Sequence, residues 1–540
     1  MRRPGTGAAL PEPGAGERRV AARSVAWGGI ESATSAAVGL LLTPLVLRVA
    51  GLEGLGLWGA AWSLAHTAGL VDLGIGASYT RFTARALASD DARELNETVS
   101  LGVAFHLTLA AAIALPAMLL GPRLLERVAP GSPRLPEARV VLACTLATVL
   151  LRGVLSVYRG VVAGAQRTDL LARIGSAASL IEGAGGAMAL ALGAGLRGMA
   201  INSLLVAVGT SAAEAWAAHH LCRALRVRPF VVRRRRGLSL LAFGSRVQVT
   251  RAFEILGTHA PRLVLAAGPG LAAAGAYDLA ARLAGVVGLG AALPLRVILP
   301  LAGHLDARGE RRRLETLLEH SSRYVALLAM LPATAILVSA GALLVAWTGR
   351  AAPPECAATV RLLAPAAAIA FSAAPLRLLV RGLGRAGIEA LSTAAGTGMQ
   401  LALLVPAAAR AGALGAGGAA LAGSVVSALT LAALVARAPV GVDPGVAARA
   451  VARVLLGAVC ATAAGIGLAI VLPASAASGR TPALALLCPR LAALTVVFAA
   501  AAWFTGAFRS DDLAVVRDAF LPARAALRPA PSGAPPGTAS

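Results

Sequence analysis

The chain has 540 residues, of which 57% are hydrophobic and only 14% charged, with a mean hydropathy of +0.74. Soluble domains carry about 25% charged residues, so this composition excludes an ordinary soluble globule and places the chain in a bilayer. The formal net charge of +24 rests on arginine alone, since the sequence has no lysine; in a membrane protein such an excess sets topology and draws anionic lipid before it suggests a nucleic-acid partner.

Residues 1–23 are rich in Arg, Pro and Gly, and they lack the apolar core and small-residue cleavage site of a signal peptide; a cytoplasmic tail is predicted. A bilayer core of ~30 Å takes ~20 apolar residues per helix, and about fourteen such runs follow. They lie near 24–48, 56–80, 99–120, 139–161, 174–194, 199–221, 239–267, 272–301, 324–347, 358–380, 387–408, 413–436, 449–472 and 484–508. The fold class expected is an all-α polytopic membrane protein. Six helices in 24–222 form one lobe and six in 238–436 a pseudo-symmetric second one; two more helices lie in 437–508, and 509–540 is a cytoplasmic tail.

The joint between the lobes, residues 223–237, holds seven arginines, four of them consecutive at 233–236. In a soluble protein that run would suggest nucleic-acid binding or nuclear targeting, but apolar flanks make it a cytoplasmic linker instead. With the N-terminus inside, arginines cluster in every second loop, as the positive-inside rule requires. One outer loop breaks the pattern, with Arg123, Arg127, Arg134 and Arg139. Two inner segments, Ala86 to Thr98 and His304 to Arg323, mix charge with spaced apolar residues and read either as helices lying on the membrane surface or as solvated loops. They also suggest a repeat. Asp91-Ala92-Arg93 parallels Asp306-Ala307-Arg308, and Pro44 with Gly51 parallels Pro261 with Gly268, both at an offset of about 215 residues. The five cysteines have no ligand-like spacing, so no disulfide framework, metal site or cofactor is implied.

From Thr43 to Arg85 the chain carries a proline near the end of helix one, a Gly-rich turn (Gly51, Gly54, Gly56), Trp58, and the run Asp72-Leu73-Gly74-Ile75-Gly76. The second half offers Gly275, Ala276, Tyr277 and Arg282 at the matching place. In these features it resembles the bacterial polysaccharide-biosynthesis flippases, the O-antigen-type exporters of lipid-linked oligosaccharide in the multidrug/oligosaccharidyl-lipid/polysaccharide superfamily. The resemblance implies a 14-helix transporter with an arginine-bearing cavity that grips the pyrophosphate of a polyprenyl-linked sugar.

A charge at the bilayer centre costs ~2.5–3.5 kcal/mol on insertion scales, so its placement is informative. Helices one, two, seven and eight hold Glu31, His66, Asp72, Arg246, Arg251, Glu254, His259, Asp278, Arg282 and Arg296, which marks them as walls of a polar cavity. Arg251, Glu254, Thr258 and Arg262 form one stripe of helix seven. Arg282 is the leading candidate, because a guanidinium holds phosphate oxygens through two parallel hydrogen bonds. The substrate-binding set expected is Arg282, Arg251, Arg246, Glu254, Asp278 and Glu31. Against it stand internal ion pairs, Asp278 with Arg282 and Arg251 with Glu254, that only make insertion tolerable. Asp72 reads as a cap or bend of helix two.

The sequence therefore points to a non-enzymatic flippase in the bacterial inner membrane, with both termini cytoplasmic. It would translocate an undecaprenyl-pyrophosphate-type saccharide by alternating access for cell-surface polysaccharide, touching anionic lipids and polysaccharide-assembly enzymes but no nucleic acid. Two alternatives are a multidrug exporter of the same superfamily and a membrane-embedded glycan polymerase, ligase or glycosyl transferase. The first wants acids in excess of bases in its cavity. The second wants catalytic residues in the loop from Gly121 to Arg139, such as Glu126, Arg127 or Glu137.

Overall fold

The computed structural model describes residues 15–68, 75–128, 134–227, 234–349, 352–438, 442–471 and 480–508. Among them are fourteen helices and no strand: α1 (Ala15–Ala68), α2 (Ile75–Ala88), α3 (Ala92–Val128), α4 (Leu135–Gly164), α5 (Thr168–Ala191), α6 (Gly195–Leu221), α7 (Arg234–Ala267), α8 (Leu271–Gly285), α9 (Val287–Ala307), α10 (Arg311–Thr348), α11 (Pro354–Gly382), α12 (Ala386–Arg437), α13 (Pro444–Val471) and α14 (Arg480–Phe504). Ten of these, α1, α4 to α6 and α9 to α14, are long and apolar enough to cross a membrane. The protein is a multi-pass membrane protein. Asp72, residues 1–14 and 509–540 of the predicted tails, and residues 228–233 of the linker lie outside the described residues.

The segmentation differs from the hydropathy reading in instructive ways. The helix α1 takes in the first predicted span and much of the second, and α12 takes in the eleventh and twelfth; each reverses with no loop, at Gly51 (φ 68°) and at Ala411–Gly412 (φ 53° at the glycine). Only a residue without a Cβ adopts such φ values at no steric cost, so one glycine replaces a loop. That the arms fold back follows from their shared contacts. Thr43 and Gly59 meet neighbouring residues of the same ion-pair cluster, although a straight helix would hold them about 24 Å apart. Likewise Gly396 in one arm of α12 packs against Gly423 and Ser427 in the other. The predicted eighth span is divided at Val286 into α8 and α9.

The two segments left open between surface helices and solvated loops are neither: each is a short turn between two helices of the bundle. Residues 304–323 form the last turn of α9, a tight turn with Gly309 at φ 69°, and the start of α10; residues 86–98 are the end of α2, a turn at Asp90 (φ 51°), and the start of α3. Their leucines are buried within the bundle: Leu305, Leu314 and Leu318 pack with Ile298, Leu376 and Leu379, and Leu95 with Val99 and Val161. The periodicity reported a helix face correctly, but that face covers neighbouring helices and not lipid headgroups. Matching the left-handed residues of the two turns pairs Asp91 with Glu310, so the Asp-Ala-Arg coincidence is off by one helical turn. A repeat is nonetheless visible. Arg167 and Arg385 start α5 and α12 with nearly the same backbone (φ −102°, ψ 48° and φ −101°, ψ 42°), each preceded by a residue of positive φ, Gln166 and Gly384.

Two of the four arginines that broke the topology pattern, Arg134 and Arg139, have acidic neighbours. Arg139 pairs with Glu126 at 3.1 Å, and Arg134 approaches Glu137, which also accepts a hydrogen bond from the backbone N–H of Leu196 at the start of α6.

Between membrane helices there is no hydrophobic driving force, so close packing of small residues holds them together. The contact between the first six helices and the rest runs mainly through α1, α2 and α3 against α7 and α8. At its centre Gly56 lies against the Leu271 carbonyl and the Gly275 N–H, while Gly275 lies against the Leu52 carbonyl and the Gly56 N–H. A Cβ on either would overlap backbone. Large apolar side chains such as Leu41, Leu180, Met188, Leu205, Trp216 and Ile470 point outward, as a lipid-facing surface requires.

Candidate functional site

A cavity of about 380 Å³ lies where α1 meets α7 and α8 on one side and α5 and α6 on the other. Both arms of α1 line it, with Ser35, Thr43, Trp58, Gly59, Trp62 and His66; α7 adds Thr258, His259 and Arg262, and α8 adds Asp278 and Arg282. Ser179, Glu182, Asn202 and Ser203 come from α5 and α6. The reversal at Gly51 is what lets one helix supply two walls.

The charged part is a cluster of three. The Arg262 Nε donates to Asp278 Oδ1 at 2.7 Å, and the Arg282 Nε donates to Asp278 Oδ2 at 2.7 Å. Arg262 also donates to the Thr258 carbonyl at 2.7 Å, and Arg282 to the Thr43 hydroxyl at 3.2 Å. The Asp278 side chain is 4% exposed, against 16% for Arg262 and 28% for Arg282, so the carboxylate is sealed while both guanidinium groups reach the cavity. Two cations share one anion. Among the described residues this wall keeps one positive charge in excess, and the remaining N–H donors of both arginines meet no second carboxylate. The i,i+4 ion pair foreseen as a structural alternative thus exists, but it is half of a bracket that still presents positive charge.

Next to it runs a ladder of rings. Trp58, Trp62 and His66 succeed one another on α1 with centroids 6.1 and 5.1 Å apart, and His259 stacks on His66 at 5.2 Å with an interplanar angle of 20°. Two hydrogen bonds fix the histidines: His66 Nδ1 donates to the Trp62 carbonyl at 2.9 Å, and His259 Nδ1 meets Ser63 Oγ at 3.1 Å. On the opposite wall Glu182 accepts from Ser203 at 2.9 Å, and Asn202 donates to the Glu182 carbonyl at 3.1 Å.

The other expected residues are elsewhere. Glu31 lines a second cavity, of about 290 Å³, with Arg152, Arg159 and Glu214; it touches the first through Ser35, Ser179 and Glu182. There Arg159 pairs with Glu214 at 3.0 Å and approaches Glu31 at 4.0 Å. Arg251 and Glu254 are on α7 but do not line the central cavity. Arg251 shares the stripe of Arg262 yet stands about three turns away along the axis, and Glu254 is a further quarter-turn round the helix. The charges that act on Glu254 belong to Arg381, Glu389 and Arg377 on α11 and α12 and to Arg251 on its own helix; Arg381 and Glu389 form a bidentate pair. Arg296 donates to the Gly28 carbonyl and the Ser32 hydroxyl, tying α9 to α1. Arg246 is on α7, but its side chain is outside the described residues. Arg251 and Arg296, expected in the cavity, are thus not among its lining: that lining holds Arg262 and Arg282 against Asp278 and Glu182, and its positive character is local to the α7–α8 wall. Sequence reasoning placed Arg262 on the helix-seven stripe without singling it out, and it missed Trp62 and Asn202. The i,i+4 spacing of Trp58, Trp62 and His66 was the available signal.

The fold is thus a helical membrane bundle that holds a polar, arginine-bearing cavity. A family model described as polysaccharide biosynthesis protein matches residues 22–305, more than half of the sequence. The chain belongs to that family. No curated protein matches it. Among solved structures, the lipid II flippase MurJ in an inward closed conformation superposes with a TM-score of 0.68 at 11% identity, over 88% of this chain and 98% of MurJ. A point mutant of the Vibrio cholerae MATE transporter VcmN gives 0.56 at 14% identity, over 78% of this chain and 99% of VcmN. A multidrug/oligosaccharidyl-lipid/polysaccharide superfamily transporter from Pyrococcus furiosus, whose binding pocket is described as reversed in polarity, gives 0.56 at 16% identity, over 77% of this chain and 93% of its own. At these identities the likeness is one of fold.

Proposed function

We propose that the protein is a flippase of the bacterial inner membrane that carries a polyprenyl-pyrophosphate-linked oligosaccharide from the cytoplasmic to the outer leaflet. The observation that carries this reading is the Arg262–Asp278–Arg282 bracket facing a cavity between the halves. A pyrophosphate needs guanidinium donors in fixed positions to leave the interface, and the buried carboxylate fixes them. Family membership in polysaccharide biosynthesis and the shared fold with a lipid II flippase agree with it. Lobes at 24–222 and 238–436 would rock about the α1–α8 contact, with both termini and the Arg-rich turns cytoplasmic and in touch with anionic lipid. No bond is made or broken in this cycle. The undecaprenyl-type tail, a coupled assembly enzyme and a destination in O-antigen-type surface polysaccharide belong to the same reading.

A multidrug exporter is the second reading, favoured by one observation: an aromatic wall also suits an organic cation. The membrane-embedded glycan enzyme draws no comparable support, since Glu126 and Glu137 are engaged with Arg139 and with the start of α6.

The test is translocation of a labelled polyprenyl-pyrophosphate saccharide in proteoliposomes. Arg282→Ala and Arg262→Ala should each slow flipping about tenfold or more, the size of a lost charge-assisted hydrogen bond. Arg251→Ala should leave it near the native rate. Native protein that ignores the lipid and expels an organic cation would transfer the function to the second reading.

A further inference from the structure

The ring ladder has no role in the anion bracket, and its cost calls for one. Membrane tryptophans collect at the headgroup level, yet two of the six in this chain share a cavity wall with buried charge. The Trp62 indole N–H is buried with no hydrogen-bond partner among the described residues, a cost that leucine or phenylalanine would avoid. What only the tryptophan supplies is a wide, flat, electron-rich face.

Position on the helix says what that face meets. Gly59 lies against Asp278, so the bracket is level with Gly59. At 1.5 Å per residue, Trp62 is about 4.5 Å further along α1 and His66 about 10 Å. A ring joined directly to a phosphate in the bracket would therefore come to rest over Trp62. The ring faces of a pyranose carry polarised C–H groups that aromatic faces attract, and its hydroxyls radiate outward in the ring plane. Across the cavity Glu182 has one oxygen taken by Ser203 and a second with no partner among the described residues, placed for such a hydroxyl. Its negative charge disfavours an acidic sugar. An organic cation on Trp62 would instead stand within a turn or so of two guanidinium groups.

Resting on the flippase reading, we propose that Trp58, Trp62 and His66 form a stacking subsite for the first sugar ring of the lipid-linked saccharide, selecting an uncharged pyranose held beside its own pyrophosphate. The subsite and the bracket then make separable contributions to binding.

The experiment measures affinities of purified protein in detergent for polyprenyl-pyrophosphate N-acetylglucosamine and for the same polyprenyl pyrophosphate without sugar. The native ratio favours the sugar-bearing lipid. Trp62→Leu should collapse that ratio about tenfold and Trp62→Phe, with a narrower and less electron-rich face, should lower it by a smaller factor, whereas Arg282→Ala should lower both affinities and keep the ratio. Thermal unfolding checks integrity, and Trp58→Leu carries the same expectation should Trp62→Leu not purify as a single species. A ratio unmoved in folded Trp62→Leu and Trp58→Leu overturns the subsite and leaves the flippase reading standing. Native protein that binds neither lipid overturns both. Tight binding of tetraphenylphosphonium that Trp62→Leu abolishes assigns the ladder to a cation and overturns the sugar subsite.

Discussion

The stretches Leu52 to Ser63 and Leu271 to Arg282 occupy matching places in the two halves and meet through Gly56 and Gly275, yet only the second carries the charges of the bracket. One sequence offset relates Leu52 to Leu271, Gly56 to Gly275, Gly59 to Asp278, Ser63 to Arg282 and Thr43 to Arg262. The small residues of the first half are the ones that touch the charged residues of the second: Gly59 lies against Asp278, and Thr43 accepts a hydrogen bond from Arg282. The difference teaches that a repeat need not duplicate its site. Here one copy supplies the charges and the other the space and the hydroxyl that accommodate them.

The largest effect should come from the shared backbone contact. Gly56→Leu or Gly275→Leu drives a side chain into backbone that cannot yield, beyond the ~1–3 kcal/mol of ordinary overpacking. Loss of monodisperse protein in detergent is the expected result, and a well-folded variant would break the view that this contact joins the halves. Next, Asp278→Ala leaves two guanidinium groups facing each other without their anion, at a cost of ~3–5 kcal/mol. Adding Arg262→Met should recover part of the lost thermal stability, because it removes one of the stranded charges. Gly59→Ala is the sharper probe. Its Cβ would stand 3.2 Å from the Asp278 carboxyl carbon, so a loss of about 1 kcal/mol is expected, and less in the Asp278→Ala background. The smallest effect belongs to Glu137→Gln at the start of α6, where a neutral oxygen still accepts from the Leu196 N–H; a few tenths of a kcal/mol in unfolding would place it outside the comparison.

The membrane class and the helical character were legible because they are written in hydropathy, whereas the pairing of Pro44 with Pro261 misses by two residues the offset that relates Gly51 to Gly270, both of positive φ. Arg282 and Asp278 were legible too, since charge in an apolar helix is conspicuous wherever it points. What each charge faces was not legible. Arg251 and Arg262 share a stripe by spacing, but α7 packs on α12 as well as on α1, and only packing decides that the level of Arg262 opens to the cavity. Loops were also misjudged where one glycine suffices to turn the chain. The segment holding Leu314 and Leu318 stayed open between a surface helix and a solvated loop because an amphipathic period names a buried face without naming what covers it.

The reversals at Gly51 and Ala411–Gly412 have a practical consequence. Proteases, antibodies and inserted epitopes all need a length of extended, solvated chain to grasp, and these ends offer none. Each pair of arms is joined like the legs of a staple, so displacement of one leg reaches the other through a single pivot with no slack to absorb it. Reporter groups meant to follow the protein's motion belong on the arms themselves.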